Sequence, residues 1–156
     1  MKLYASLIGR LENQHQTIDN ILSTIDFNRL QIKPQPNKWN IYDNVAHLVR
    51  YQFVFTERIN QILIKDCPEF GRYKAEEDPE FEKWRVLNIA DLFEQLKQER
   101  RNIYSLITSL SDSEINRPGI HKKFGKLNII QWTEFFLLHE AHHIFTIFQL
   151  AHDTEL

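Results

Sequence analysis

Three histidines fall within five residues in the last apolar stretch of the chain, His139-Glu140-Ala141-His142-His143. His139 and His143 are spaced i, i+4, so on a helix they project side by side from one face. Trp132, Phe135, Phe136, Ile147 and Leu150 share that face and turn it toward a core. Two imidazoles in a core need partners, because a buried polar group left unpaired is costly. A divalent metal meets that need when a third ligand arrives from another helix. Three neutral imidazoles around one ion with an open fourth position make a known kind of catalytic site.

The same letters satisfy H-E-x-x-H, the zinc-protease pattern. Two features count against that reading. The longer metzincin form needs a glycine and a further histidine where Thr146 and Gln149 stand. The other common form takes a glutamate well downstream, and only 13 residues follow His143. The third ligand must therefore lie upstream or near the end, among His15, His47, His121 and His152. His47 takes an inward-looking position near the start of its helix. His121 falls in a loop, and His152 lies two turns beyond His143.

The elements that must position these residues are helical. Leu7, Ile8, Leu11, Ile18, Leu22 and Ile25 mark a first helix over about residues 2–26, with His15 on its stripe as a partly buried, hydrogen-bonded side chain. Pro34 and Pro36 end it. Asn40 caps a second helix running from Ile41 to about Lys65, with Asp43 near its positive end. Asp66 to Leu87 is too long for a hairpin and long enough to run the length of a bundle. It reads as a crossover that makes the second and third helices parallel, pinned by Phe81 and Trp84, with its acidic run in solvent. Asn88 and Asp91 open the third helix, which ends near Leu110; Arg100 reads as an edge-of-core side chain with a buried stem. A second connection, Ser111 to Leu127, includes a short turn of helix at Asp112–Asn116. Asn128 and Gln131 open the fourth helix as a capping box, and it runs to about Ala151. No stretch alternates convincingly as a strand. The expected fold is all-α, one four-helix bundle over residues 1–156, up-down-down-up.

Composition narrows the function. The chain has 156 residues, a net charge of -2, and no face of clustered lysine and arginine, which argues against a nucleic-acid partner. No apolar run approaches a membrane span. The start of the chain does not read as a signal peptide, and Cys67 is the single cysteine, so a cytoplasmic location is the expectation.

The segment Pro36-Asn37-Lys38-Trp39-Asn40-Ile41-Tyr42-Asp43-Asn44-Val45-Ala46-His47-Leu48 resembles the opening of the second helix in the DinB/YfiT-like family. Phe124-Gly125-Lys126-Leu127, Trp132 and Leu138-His139-Glu140-Ala141-His142-His143 resemble that family's last helix with its paired histidines. The resemblance extends over nearly the whole chain. It implies His47, His139 and His143 as metal ligands, with His142 outside the ligand set. Two positions depart from the family's habit: Asn40 stands where serine is frequent, and Gln52 where a carboxylate is. The first keeps a cap; the second puts an acid–base role at that position in doubt.

The resemblance also implies a metal-dependent hydrolase or a thiol-dependent transferase, acting on a small-molecule substrate with a thiol as cosubstrate in the second case. No general base is assigned; Tyr51, one turn beyond His47, reads first as a core residue. A divalent ion is the expected cofactor. Zinc and nickel lead, and iron and manganese are admitted, because three imidazoles do not choose among such metals. Two other readings stand beside the enzyme: a metal- or small-ligand-binding bundle of the stress response, without turnover, and a structural bundle with incidental histidines. Aromatic-rich helices make a homodimer plausible.

Overall fold

The computed structural model describes residues 2–154, and each of the four apolar stripes becomes a helix or a pair of helices. The first stripe is interrupted. It forms α1 (Ala5–Asn13) and α2 (Gln16–Leu22), with Gln14 and His15 between them, and stops short of the expected residue 26. A 3-10 turn, Phe27–Gln31, then leads into the proline-containing segment.

The second stripe is α3 (Ile41–Ile64), which packs against most of the other elements. Asn40 and Asp43 form the capping box that starts it: Asn40 Oδ1 accepts from the Asp43 amide at 2.7 Å, and Asp43 Oδ2 accepts from the Asn40 amide at 3.3 Å. These bonds satisfy backbone donors that the first turn of a helix leaves free.

The crossover folds back along α3. After the short strand β1 (Glu69–Phe70) and a 3-10 turn at Ala75–Glu77, helix α4 (Pro79–Arg85) begins with proline at its first position and Asp78 as cap. Arg50 on α3 donates to Asp78 at 2.7 Å, and Arg85 donates to Asp43 at 2.8 Å. These pairs carry the chain from the middle of α3 to its N-terminal end. Phe81 is buried, and Trp84 stacks on Phe53 at 5.1 Å, as expected of pinning residues. α5 (Ile89–Ser109) then starts beside the start of α3 and runs parallel to it, with Gln52 Nε2 donating to the Leu96 carbonyl.

After α6 (Asp112–Ile115) come β2 (Pro118–His121), β3 (Gly125–Asn128) and the last helix, α7 (Ile129–His152). α7 runs antiparallel to α3: Asn44 meets His143, His47 meets His139 and Phe55 stacks on Phe136. It runs parallel to the first stripe: Arg10 on α1 pairs with Glu134, Gln14 after α1 donates to the Leu137 carbonyl, and Arg29 in the 3-10 turn donates to the Leu150 carbonyl. The topology is the up-down-down-up bundle expected, with the long crossover between its second and third main helices.

The strands correct the expectation of no sheet. β1 pairs parallel with β2, and β2 pairs antiparallel with β3, in a three-stranded ribbon across the end of the bundle. Segments of two and four residues are too short to show alternation, which is why the sequence conceals them. Gly119 lets the ribbon sit on α3: a Cβ there would lie 2.9 Å from two Ile62 side-chain carbons.

The apolar core forms two clusters. One gathers Leu7, Leu11, Phe55, Ile103, Ile107 and Phe136; the other gathers Ile18, Val45, Val49, Leu92, Leu96 and Ile147. On every main helix the change from one cluster to the other falls at the level of His15, His47, Gln52, Arg100, His139 and Glu140. A polar layer divides the bundle there.

Candidate metal centre

α3 and α7 meet face to face in that layer. Each carries its histidines on the surface turned to the other, because the 3.6-residue period that places Val45, Leu48 and Phe136 in the core also directs His47 and His139 inward. The Nε2 atoms of His47 and His139 lie 3.1 Å apart. His143 joins them, so that one ring nitrogen from each of the three residues lies within 4.8 Å of the others. Two nitrogens held at about 2.0–2.1 Å from one tetrahedral ion would stand about 3.3 Å apart. The pair is therefore already close to the spacing an ion imposes.

Hydrogen bonding sets the free nitrogen of His143. Asn44 Nδ2 donates to the Asn40 carbonyl at 2.8 Å, which leaves its Oδ1 as the acceptor facing His143 Nδ1, also at 2.8 Å. Nδ1 of His143 thus carries the hydrogen, and Nε2 keeps its lone pair for a ligand. Nδ1 of His47 and Nδ1 of His139 have no hydrogen-bond partner among the described residues, although both atoms are buried. Burial lowers all three imidazoles from the ordinary 6.5, His47 to about 2, His139 to about 3 and His143 to about 4, with neighbouring histidines adding to the effect. Three neutral, crowded imidazoles fit a divalent cation by donor chemistry and by spacing.

Aromatic rings wall the site. Trp39 lies 4.9 Å from His47 and 6.0 Å from His143, Tyr73 lies 5.7 Å from His47, and Tyr51 lies 3.9 Å from His139, centroid to centroid. A cavity of about 310 Å³ opens beside the three imidazoles, reaching Arg58, Arg72 and His121. Glu76, on the crossover, is the one carboxylate on its wall among the described residues.

Three comparisons with known proteins bear on this arrangement. A sequence profile of the DinB superfamily matches residues 10–147. The chain belongs to the DinB superfamily. Among solved structures, this DinB-superfamily bundle is similar to YfiT from Bacillus subtilis, at TM-score 0.80 and 16% identity, covering 96% of this chain and 89% of that one. YfiT is described as a probable metal-dependent hydrolase with an unusual four-helix bundle topology. It is also similar to a DinB-like protein, YjoA, from Bacillus subtilis, at TM-score 0.61 and 14% identity, covering 97% and 93%. No curated protein sequence matches the chain.

The other histidines considered from sequence stand apart from the three. His15 is buried between α1 and α2, but its Nδ1 has no partner among the described residues, contrary to the hydrogen-bonded state expected. His121 reaches the cavity wall, where its Nδ1 accepts from the Lys123 and Phe124 amides at 3.1 and 3.2 Å. His142 is exposed on α7 at the rim, and His152 is exposed at the end of the helix.

One other side chain differs from its sequence reading. Arg100 is 1% exposed rather than at the edge of the core, and pairs with Glu140, equally buried. Gln52 accepts from Arg100 Nε at 3.1 Å, and Gln14 donates to Glu140 at 2.9 Å. Glu140 thus bonds to Arg100 and Gln14, in a network on the face of α7 next to that of the imidazoles. Sequence reasoning passed over Asn44 and Arg58. The spacing of Asn44, three residues before His47 on one helix face, was the available signal for the first.

Proposed function

We propose that this chain is a metal-dependent enzyme in which His47, His139 and His143 hold a divalent ion, zinc or nickel foremost, and that its reaction is transfer of a thiol to a small electrophile. The observation that carries this reading is a ligand set of three neutral imidazoles with no carboxylate among the described residues bonded to any of them. An ion on three imidazoles would acidify a water as it would a thiol, but hydrolysis of an ester or amide also calls for a group that passes the proton on to the leaving group. Glu140, the residue that does this in H-E-x-x-H proteases, is tied to Arg100 in the core. A divalent ion held by the three imidazoles would supply the acidification that a thiol needs, so that no protein base is required to take its proton.

The chain's own residues do the rest. Asn44 holds His143 in one tautomer. Trp39, Tyr51 and Tyr73 surround the imidazoles with aromatic rings. The cavity admits a small molecule from the side of the crossover. In the overall step a thiol R–SH gives its proton to solvent, its sulfur forms a bond to an electrophilic carbon, and the leaving group departs with the electron pair of the broken bond.

Hydrolysis is the second reading, favoured by the description of YfiT and by Glu76 on the cavity wall. Metal analysis is the first measurement: about one divalent ion per chain is expected, reduced to background by His47→Ala or His139→Ala. Activity assays of the zinc- and nickel-loaded protein with thiols plus electrophiles, and separately with esters and amides, then divide the two reactions. Glu76→Gln should leave thiol transfer intact. Turnover of esters or amides that vanishes in Glu76→Gln, with no thiol consumption in the wild type, would reject transfer in favour of hydrolysis.

A further inference from the structure

The cavity beside the imidazoles contains a charge that thiol activation does not use. Arg58 lies on α3, eleven residues beyond His47 and on the same side as Tyr51. Its side chain folds back toward Tyr51, with Nη1 3.5 Å from the phenolic oxygen, and Nη2 donates to the Gly71 carbonyl at 2.9 Å. The guanidinium carbon lies 5.7 Å from the Phe70 ring centre and 5.6 Å from that of Trp132. The residue is only 8% exposed.

Arg58 forms no salt bridge with any carboxylate among the described residues, whereas Arg10, Arg50, Arg85 and Arg100 each pair with a carboxylate. Burying a cation without a counter-ion is expensive, and two neutral acceptors and two aromatic faces offset only part of that expense. A fold that retains such a group on a cavity wall holds it for an anion that arrives from outside. His121 adds a second donor. Its Nδ1 accepts from two backbone amides, so its hydrogen is on Nε2. Arg72, exposed, adds positive charge at the mouth, where Glu76 is the carboxylate on the wall among the described residues and Lys74 is paired with Glu77 at 2.7 Å.

We infer that Arg58 is the subsite for a carboxylate on the small molecule that enters this cavity, whose reactive end faces His47, His139 and His143. The inference deepens the metal-enzyme reading and rests on it for the reactive end only; the carboxylate subsite itself needs no ion. A carboxylate is the matching anion because it carries a single negative charge, neutralising one guanidinium, and because its two oxygens suit the planar donors of arginine. The cavity, at about 310 Å³, is sized for a small molecule of this class rather than for a polypeptide.

The test compares 3-mercaptopropionate with its neutral amide and with 2-mercaptoethyl phosphate, by calorimetric titration into zinc-loaded protein. The acid should bind at least about tenfold tighter than the amide, since removing one partner of a buried charge pair costs that much or more. Arg58→Met should erase the difference while zinc content per chain is unchanged, and Arg58→Lys should retain part of it. In metal-free protein, propionate should raise the unfolding temperature of the wild type and not of Arg58→Met; Arg58→Gln serves if the methionine variant does not fold. Equal affinity for acid and amide, an acid preference that survives in Arg58→Met, or tighter binding of the phosphate would each overturn the assignment. Absence of zinc uptake with carboxylate protection of the metal-free protein intact would reject the metal reading and leave the carboxylate subsite standing.

Discussion

Glu140 and Asn44 show how much at this site is decided one residue at a time. Glu140 adjoins His139 in sequence, yet the 100° step of the helix turns it into the core against Arg100, with both side chains 1% exposed. Glu140→Ala would leave a buried guanidinium without its charge partner and should cost about 3–5 kcal/mol. The double variant Arg100→Met, Glu140→Leu should recover most of that loss, and metal content should not change in either. Urea unfolding with metal analysis checks both; a Glu140→Ala protein as stable as wild type would refute the structural role. Asn44 would act on the proposed ion through its hydrogen bond to His143. Asn44→Ala leaves His143 Nδ1 without its acceptor, and metal affinity should fall about 10–100-fold. Competition with a chelator measures it, and unchanged affinity would mean that the tautomer is set by something else. The i, i+4 pair His139 and His143 was legible in the sequence because spacing alone places both on one face. The direction of Glu140 was not, since a carboxylate next to a ligand can face the ion, solvent or a hidden arginine on another helix. That arginine, Arg100, read as an edge residue because local sequence does not show which far residue meets it.

At the scale of elements, the long helices were readable because each combines an apolar period with a cap. Asn40 with Asp43, Asn88 with Asp91 and Asn128 with Gln131 start α3, α5 and α7 at the residues expected. The ribbon and the break in the first helix were hidden for opposite reasons. The strands are too short to carry a period, and the break at Gln14–His15 leaves the apolar period running through it, from Leu11 to Ile18. Gly119 is where the ribbon meets α3. Gly119→Ala would place a methyl 2.9 Å from Ile62 and 3.1 Å from Phe70, and should destabilise by about 1–3 kcal/mol. Ile62→Val in the same chain should relieve part of this; thermal unfolding of the single and double variants separates crowding from a backbone effect. His15 gives the helix break a pH dependence. Burial, with Arg100, Lys97 and Arg101 adding to it against Asp19, lowers its pKa from 6.5 to about 4. The sign follows from linkage. Above about 6.5 the residue is neutral folded and unfolded, and its contribution is complete. Between about 6.5 and 4 the unfolded chain takes up a proton that the fold refuses, so stability falls, and the loss levels off below the folded value. His15→Gln should flatten that part of the stability-against-pH curve, and parallel curves for the two proteins would disprove the assignment.

For the molecule as a whole, the polar layer between the two apolar clusters is a stability liability that the bundle carries for its site. On one face of α7 the layer is closed: Arg100, Glu140, Gln52 and Gln14 satisfy one another. On the next face it is open, because His47 and His139 each keep a buried Nδ1 without a partner among the described residues and present Nε2 atoms to each other at 3.1 Å. A buried polar atom without a partner costs about 1–3 kcal/mol, so the metal-free bundle is less stable than its apolar content alone would make it. An ion that binds the folded chain and not the unfolded one reverses the balance, adding about 4 kcal/mol at a thousand times its dissociation constant. His47→Leu should separate the two effects, since position 47 is 4% exposed and leucine suits an apolar pocket. With chelator present the variant should match or exceed the wild type in stability, by up to about 3 kcal/mol. With excess zinc the order should invert, the wild type gaining and the variant remaining where it was. Denaturation midpoints measured with chelator and with zinc give all four values. A variant that is weaker than wild type under chelator, or that gains as much from zinc, would show that the histidine layer serves packing rather than an ion.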